Sequence, residues 1–146
     1  MAQLIPDADG VVIVTSPQAV AVLDSRKCIH FVRQLGLPIL GVVENMSTFV
    51  CPCCRTETAI FDRGGGERAA KSWGVPFLGG VPIDPAIRAA GDAGVPVVLS
   101  HPESDSAMAF RRVARAVACS LSVEVLTGKG PEAPPPPAPK GGGFEV

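Results

Sequence analysis

Three runs of consecutive apolar residues divide the chain, and each has the length of one buried strand. Gly10–Thr15 and Pro38–Val43 are rich in β-branched residues, and Pro76–Val81 forms the third run. Unbroken runs of this kind are typical of parallel strands that helices cover on both faces. A fourth, short strand is predicted at Val95–Leu99, at an edge of the sheet.

Helical periodicity separates these runs. Ser16 is the predicted N-cap of the first helix, with Pro17 at its first position. Further helices are predicted at Glu67–Trp73, at Ala86–Ala90 and from Glu103 to about Val123. The alternation of strands and helices predicts a three-layer α/β fold with a parallel sheet. The predicted buried stripes are Cys28, Phe31, Val32 and Leu35 in the first helix, and Phe110, Val113, Ala114, Val117 and Leu121 in the last.

The composition predicts one domain followed by a tail. The chain has 146 residues, of which 47% are hydrophobic, so a real core is expected over residues 1–126. From Thr127 the sequence becomes rich in proline and glycine. Such a segment cannot bury a core, and we predict that residues 127–146 are disordered.

The charge pattern narrows the classes of partner. The formal net charge is −1, which provides no electrostatic basis for binding nucleic acid or an anionic membrane. No run approaches the roughly 20 apolar residues that a membrane-spanning helix needs. The N-terminus lacks the basic start and apolar core of a secretory signal. We therefore expect a cytoplasmic protein in a reducing compartment, with an organelle as the alternative.

Three of the five cysteines lie at positions 51, 53 and 54. Cys51 and Cys54 form a C-x-x-C pair, a spacing that lets both sulfurs face one metal atom or cluster. Their flanks favour strands, so we predict a β-hairpin over residues 47–61 with the cysteines at its tip. Cys53 lies between the pair and could replace either ligand.

A disulfide and a redox role are less favoured for Cys51 and Cys54 than metal ligation. A structural disulfide does not suit a reducing compartment. A thioredoxin-type redox pair normally opens a helix after a strand, and the β-forming flanks of Cys51 and Cys54 do not provide that setting. Metal or cluster ligation is therefore the preferred interpretation.

Two cysteines do not complete a four-ligand site. Cys28 and Cys119 lie in predicted helices and are expected to be small buried residues, and His30 and His101 have no ligand spacing relative to the pair. A second copy of the chain would supply two more thiolates across a two-fold axis, which predicts a homodimer.

Polar residues follow two of the predicted strands, where ligands bind in open α/β sheets. Asn45 could hydrogen-bond a base or, as the residues alone favour, the local backbone. Pro82 and Asp84 follow the third run, and Asp84 with Pro85 also matches an N-cap and first helical residue. Gly64–Gly66 could cradle an anion, but no Lys-Ser or Lys-Thr comes directly after Gly66, as a P-loop requires, so a turn into the next helix is favoured.

Several short strings follow one another along the chain: Val11–Gln18, Val42–Ser47, the C-x-x-C pair, Ile60–Phe61 with Gly64–Glu67, and Gly80–Pro85 with Gly91–Asp92. In this order they resemble the C-terminal half of the Mrp/ApbC/Nbp-type iron–sulfur cluster carrier ATPases, which are MinD-like deviant P-loop NTPases. The resemblance covers residues 8 to 122 and implies a P-loop NTPase-like fold that lacks its N-terminal P-loop portion.

The resemblance implies a homodimeric carrier with a labile 4Fe–4S cluster between two subunits. Cys51 and Cys54 of each subunit would ligate the cluster, which would pass to apo iron–sulfur proteins. Cys53 departs from the family pattern and leaves the choice of ligand open. The family also binds ATP and magnesium, and the matching positions on the adenine side are Asn45, Pro82 and Asp84.

The family's P-loop, switch residues and magnesium ligands would lie upstream of residue 1. We therefore expect no ATP hydrolysis by this chain alone, because the P-loop lysine and backbone amides stabilise the reacting phosphates. The P-loop half would belong to a longer form of the protein or to a separate chain. The alternative functions are a zinc-bound dimerisation module and a non-functional fragment.

Overall fold

The computed structural model describes residues 8–51 and 53–127. The predicted tail lies outside these residues apart from Thr127, which is the last residue of the final helix. The predicted end of that helix, near Val123, is therefore four residues too early. The elements are β1 (Val11–Thr15), α1 (Ala19–Gln34), β2 (Ile39–Val50), β3 (Glu57–Thr58), α2 (Gly65–Trp73), β4 (Phe77–Ile83), α3 (Pro85–Asp92), α4 (Val97–Ser100) and α5 (Asp105–Thr127).

The sheet is built around β2. Strands β1 and β4 pair with β2 in parallel, as predicted, whereas β3 pairs with its last residues in antiparallel orientation. Phe49 of β2 pairs with Ile83 of β4 on one side and with Thr58 of β3 on the other. Strand β3 therefore lies on the same side of β2 as β1, beyond the point where β1 ends at Thr15. The fold is therefore α/β with a mixed sheet.

Helices cover both faces of the sheet. On one face, α1 and α2 pack over Ile13 and Val42, and Val42 is fully buried. On the other face, α5 packs over Val43, Leu78 and Val81 through Val113, Ala116 and Val117. Consecutive residues Val42 and Val43 enter different core clusters because side chains alternate along a strand. This alternation produces the three layers.

The predicted edge strand at Val95–Leu99 is wrong. Residues Val97–Ser100 form a one-turn helix, α4. The carbonyl of Pro96 accepts hydrogen bonds from the backbone N–H groups of Leu99, at 2.9 Å, and Ser100, at 3.1 Å. Pro96 has no N–H group to donate to a sheet ladder, so a helical turn satisfies this segment better than a strand does.

The predicted stripe of α1 is displaced. The buried residues are Ser25, Ile29 and Val32, whereas Cys28 is exposed and the Phe31 side chain is 59% exposed. Burial of Ser25 is inexpensive because its hydroxyl donates a 2.9 Å hydrogen bond to the carbonyl of Ala21. The helix turns the face with Ile29 towards the sheet, and the larger side chains of the predicted stripe are left outside. Leu35 is exposed as well.

Two other expectations for the helices are also wrong. Helix α1 begins at Ala19 with Gln18 as its N-cap, two residues later than predicted. The preceding Pro17 lies against α2, so closely that a Cβ atom on Gly65 would be 2.2 Å from the Pro17 carbonyl oxygen.

Cys119 was expected to be buried, but it lies on an exposed face of α5.

Candidate functional site

Strand β2 carries the chain beyond the core towards the cysteines. Glu44 is only 3% exposed, and the next two residues are exposed. The ladder to β4 is irregular between Asn45 and Phe49, and Met46 has a φ of 58°, in the left-handed region. A bulge of this kind re-aims the strand. The chain therefore continues in β2 to Val50 rather than ending near Val43.

The cysteines lie in a tight turn, called the cysteine loop below, of which the structure describes residues 51 and 53–56. Strands β2 and β3 enclose it through the antiparallel pairs Phe49–Thr58 and Val50–Glu57. The Cys51 N–H donates to the Thr56 carbonyl at 3.0 Å, and the Arg55 N–H donates to the Cys51 carbonyl at 2.9 Å. The backbone thus holds Cys51 and Cys54 within one hydrogen-bonded turn.

The three thiols of the loop are free and accessible. Cys51 is half-buried, and Cys53 and Cys54 are exposed. The Cys54 Sγ atom hydrogen-bonds with the Thr56 hydroxyl at 3.2 Å. Hydrogen bonds from the Thr56 hydroxyl, from its backbone and from the Cys51 thiol lower the pKa of Cys54 to about 7. Because the thiolate is the form that binds metals, Cys54 is prepared for ligation near neutral pH.

The cysteine loop is tied to the first turn of α5. Arg55, which follows Cys54, forms an ion pair with Asp105 at 3.5 Å. Both side chains are largely solvated, so the pair adds little stability. Its effect is on geometry, because it connects the residue after Cys54 to a helix that packs on the sheet. A recess of about 400 Å³ lies beneath the pair, and Ser47, Gly80 and Arg112 contribute to its walls.

One chain does not complete a four-ligand site within the part of the protein that the structure describes. No group of three or more His, Cys, Asp or Glu side chains is close enough there to hold a metal ion. His30 and His101 therefore join no such group with the cysteine loop.

Pro82 and Asp84 share a cavity at the carboxyl end of β4. The cavity has a volume of about 440 Å³, and Phe49 contributes to its wall. Asp84 is held by two hydrogen bonds: Oδ1 accepts from the Ala86 N–H at 2.8 Å, and Oδ2 accepts from the Ser106 hydroxyl at 2.5 Å. The predicted N-cap role of Asp84 is confirmed, since it caps α3.

Asn45 lies near this cavity but is not among its lining residues. It is opposite Val81 in the β2–β4 ladder, one position before Pro82. Its Oδ1 atom accepts a 3.0 Å hydrogen bond from the Met46 N–H, so the local backbone contact that the residues favoured is confirmed. This contact leaves the amide nitrogen of Asn45 as the group that could donate to a ligand.

The residues alone did not identify the role of Glu44. Its carboxylate accepts a 2.5 Å hydrogen bond from the Gly66 N–H, at the first turn of α2. The anion at the Gly64–Gly66 turn is thus this side chain, and the partial positive charge of the helix N-terminus favours it there. The available signal was a lone carboxylate at the end of a buried run, with a glycine triplet 20 residues later.

A comparison with protein families decides the relationship. The family described as ParA, the NUBPL iron-transfer P-loop NTPases, matches residues 1–118. The chain belongs to this family. The sequence resemblance to the MinD-related cluster carriers is thereby confirmed, and the bulged β2, the cysteine loop and the β4 cavity are features of this member.

Similar proteins agree with the assignment. An iron–sulfur cluster carrier protein of Methanocaldococcus jannaschii is 46% identical over 127 residues, which cover 87% of this chain and 41% of that protein. The cell-division ATPase MinD of Pyrococcus furiosus has a similar fold, with a TM-score of 0.62 and 30% identity, over 77% of this chain and 43% of MinD. An ADP-bound nucleotide-binding protein of Archaeoglobus fulgidus gives a TM-score of 0.54 and 32% identity, over 70% and 42% of the two chains.

The chain therefore spans less than half the length of these relatives. Within residues 8–51 and 53–127, no helix has the length and apolar character needed to cross a membrane.

Proposed function

We propose that this chain is the cysteine-bearing part of an iron–sulfur cluster carrier. Two copies bind one 4Fe–4S cluster through Cys51 and Cys54 of each protomer, and the homodimer passes the cluster to apo iron–sulfur proteins. The observation that carries the proposal is the cysteine loop itself. It presents two hydrogen-bonded thiols on an exposed turn without further ligands among the described residues.

Exposure suits a carrier better than a permanent centre. The cluster is the cargo, and each step of its transfer exchanges one thiolate for another. A thiolate of the recipient forms an Fe–S bond as the bond to Cys51 or Cys54 breaks, so no electrons are gained or lost. Incoming thiols can approach Cys54 because its side chain is exposed. A pKa of about 7 also makes Cys54 a better leaving thiolate than an ordinary cysteine.

The nucleotide side of the proposal rests on the carboxyl end of β4. Pro82 and Asp84 line a cavity large enough for a purine base, with Phe49 in its wall, and Asn45 lies one ladder position away. We propose that this is the adenine side of an ATP–magnesium site whose phosphate contacts come from a P-loop half in a longer protein or in a separate chain. We place the carrier in the cytoplasm.

Anaerobic reconstitution with iron and sulfide tests the cluster site directly. We expect about four irons and four sulfides per dimer, with molar mass measured by light scattering after gel filtration. Cys51→Ser and Cys54→Ser should each abolish the bound iron. Cys28→Ser and Cys119→Ser replace exposed cysteines elsewhere and serve as matched controls that should retain it.

The same preparation separates the alternatives. Cys53→Ser should retain iron if Cys51 and Cys54 are the ligands, and loss of iron would assign a ligand role to Cys53. Iron bound to a monomer would contradict the bridging site. Zinc without iron or sulfide would instead indicate a zinc-bound dimerisation module, and a chain that binds neither metal would be a non-functional fragment.

A further inference from the structure

Helix α5 has more apolar surface than the sheet covers. Val113 and Val117 pack on the sheet, as the sequence predicts. Phe110 and Ala114, which belong to the same predicted stripe, are exposed instead, and Phe110 is 39% exposed. The stripe is therefore split between a covered half and an uncovered half.

The uncovered half forms one wall of a groove. The opposite wall comes from α3 and α4, and the groove has a volume of about 680 Å³. Leu99 of α4 lies at the edge of the groove and is 72% exposed. This edge of the groove is formed by a helical turn, where the sequence had predicted a strand. The lining residues are Ile87, Gly91, Pro96, Val97, Val98, Leu99, Phe110, Arg111 and Ala114.

The charge in the lining of this groove is positive, and the nearby acidic residue is already paired. Arg111 is the only charged residue in its lining, and Arg115 follows one helical turn later on α5. Neither arginine forms an ion pair with any residue in the described ranges, whereas the nearby Arg88 is paired with Asp92 at 2.6 Å. An occupant that buries the apolar walls would therefore meet uncompensated positive charge along the α5 edge.

We propose that this groove binds an amphipathic helical segment of a partner protein, with apolar anchors on one face and acidic residues beside them. The apolar anchors would pack on Leu99 and Phe110, and the carboxylates would pair with Arg111 and Arg115. Helix-in-groove recognition uses this combination of aliphatic or aromatic walls and flanking charge. The proposal does not rest on the cluster site, because the groove is formed by α3, α4 and α5 alone.

Charge complementarity also distinguishes the occupants. A second copy placed groove to groove, with its α5 edge opposite that of the first copy across a two-fold axis, would bring the arginines together, which like charges disfavour. Residues 128–146 of the same chain carry two lysines and two glutamates, Lys129, Lys140, Glu132 and Glu145, so they offer no net acidic charge. A partner segment rich in Glu or Asp matches the groove best.

The test uses the full 146-residue apo chain and two labelled synthetic peptides. Each peptide is about four helical turns long, with leucines at i, i+3, i+4 and i+7. The remaining positions are mainly glutamate in one peptide and lysine in the other. Fluorescence anisotropy measures binding at several salt concentrations. We expect the glutamate peptide to bind at least about tenfold more tightly than the lysine peptide, and salt to weaken it.

Substitutions locate the binding surface. Leu99→Ser removes an exposed anchor and should lower the affinity for the glutamate peptide about tenfold. Arg111→Glu should lower the affinity for the glutamate peptide about fivefold and raise the affinity for the lysine peptide. Arg26→Glu, an exposed charge reversal on α1, is the matched control and should leave both affinities unchanged. Thermal melts of each variant check that the fold is retained.

Several results would overturn the proposal. Equal affinity for the two peptides would mean non-specific apolar adhesion, and no binding by the folded wild-type chain would remove the site. Binding that Leu99→Ser and Arg111→Glu both leave unchanged would place it elsewhere. If Leu99→Ser instead converts a dimer to a monomer, the occupant is a second copy. If replacing Pro134–Pro137 by serine tightens peptide binding, the occupant is the chain's own C-terminal segment.

Discussion

The carboxylate of Glu44 accepts a hydrogen bond from the backbone N–H of Gly66 and so joins the two ends of the segment that carries the cysteines. The chain leaves the core at Glu44, passes through the cysteine loop and returns at Gly65–Gly66. The hydrogen bond therefore joins the two ends of this segment, through residues that are 22 positions apart in sequence. Arg55 and Asp105 hold its far end.

Glu44→Ala should destabilise the fold. The substitution leaves the Gly66 N–H buried without its acceptor, and losing a buried, charge-assisted hydrogen bond costs about 1–3 kcal/mol. Urea unfolding followed by circular dichroism measures the change. Glu67→Ala is a matched control because Glu67 lies in the same turn of α2 but is exposed, and its effect should stay within about 0.5 kcal/mol. Equal effects of the two substitutions would contradict a specific role for Glu44.

Two glycine-to-alanine substitutions should change stability in opposite directions. A Cβ atom at Gly66 would lie 3.0 Å from the Glu44 Cβ and 3.1 Å from the Thr15 Cγ2, so Gly66→Ala should cost about 1–3 kcal/mol. Gly91 lies in α3 with no atom within 4 Å of an added Cβ. Gly91→Ala should therefore stabilise the fold by up to about 1 kcal/mol, through helix propensity. Thermal and urea unfolding of both variants would reveal the opposite signs.

The reactivity of Cys54 should depend on Thr56. With a pKa of about 7, Cys54 is half thiolate near neutral pH and becomes protonated and unreactive as the pH falls below that value. Thr56→Val removes the largest cause of the lowered pKa, so the midpoint of alkylation should move to higher pH. Iodoacetamide labelling of the apo chain, with mass spectrometry of each cysteine, gives the pH profile.

Thr58→Val provides the control for that experiment. Thr58 lies two residues further along in β3 and is not a cause of the lowered pKa. In the Thr58→Val variant, the pH midpoint of Cys54 alkylation should remain near that of the wild type. A Cys54 profile that Thr56→Val leaves unchanged would contradict the assignment.

Asp84 should contribute to stability whether or not a nucleotide binds. Asp84→Ala removes the cap of α3 and the acceptor of the fully buried Ser106 hydroxyl, with an expected cost of about 1–3 kcal/mol. A double-mutant cycle with Ser106→Ala should give a coupling above about 0.5 kcal/mol. Asp92→Ala, an exposed partner of Arg88, is the control and should have a small effect. Additive effects of Asp84→Ala and Ser106→Ala would show that the two side chains act independently.

Local patterns in the sequence determined much of this protein. The three apolar runs became β1, β2 and β4, the helices that separate them are present, and the N-cap at Asp84 formed as its neighbours predicted. The C-x-x-C spacing and the ordered strings also sufficed to place the chain in its family. The strands, the helices and the cap depend on residues within a few positions of one another, which is the range that periodicity and capping rules describe.

Tertiary structure decided which apolar faces are covered. Both halves of the α5 stripe, Val113 with Val117 and Phe110 with Ala114, satisfy helical periodicity, but the sheet has room for only one. The same competition displaced the buried face of α1 to Ile29 and Val32. Val97–Ser100 formed a helix and not the predicted edge strand for a local reason, because Pro96 before it has no N–H group to donate to a ladder.

The hydrogen bond between Glu44 and Gly66 shows most clearly why the sequence alone did not identify the partners of each side chain. Glu44 and Gly66 are unremarkable when read separately, since one ends the buried part of a strand and the other lies in the first turn of a helix. Their hydrogen bond exists only because the fold brings the middle of β2 to the start of α2. Residue types and spacing thus determined the elements and the candidate ligands. The partners of each side chain depended on how those elements pack in three dimensions.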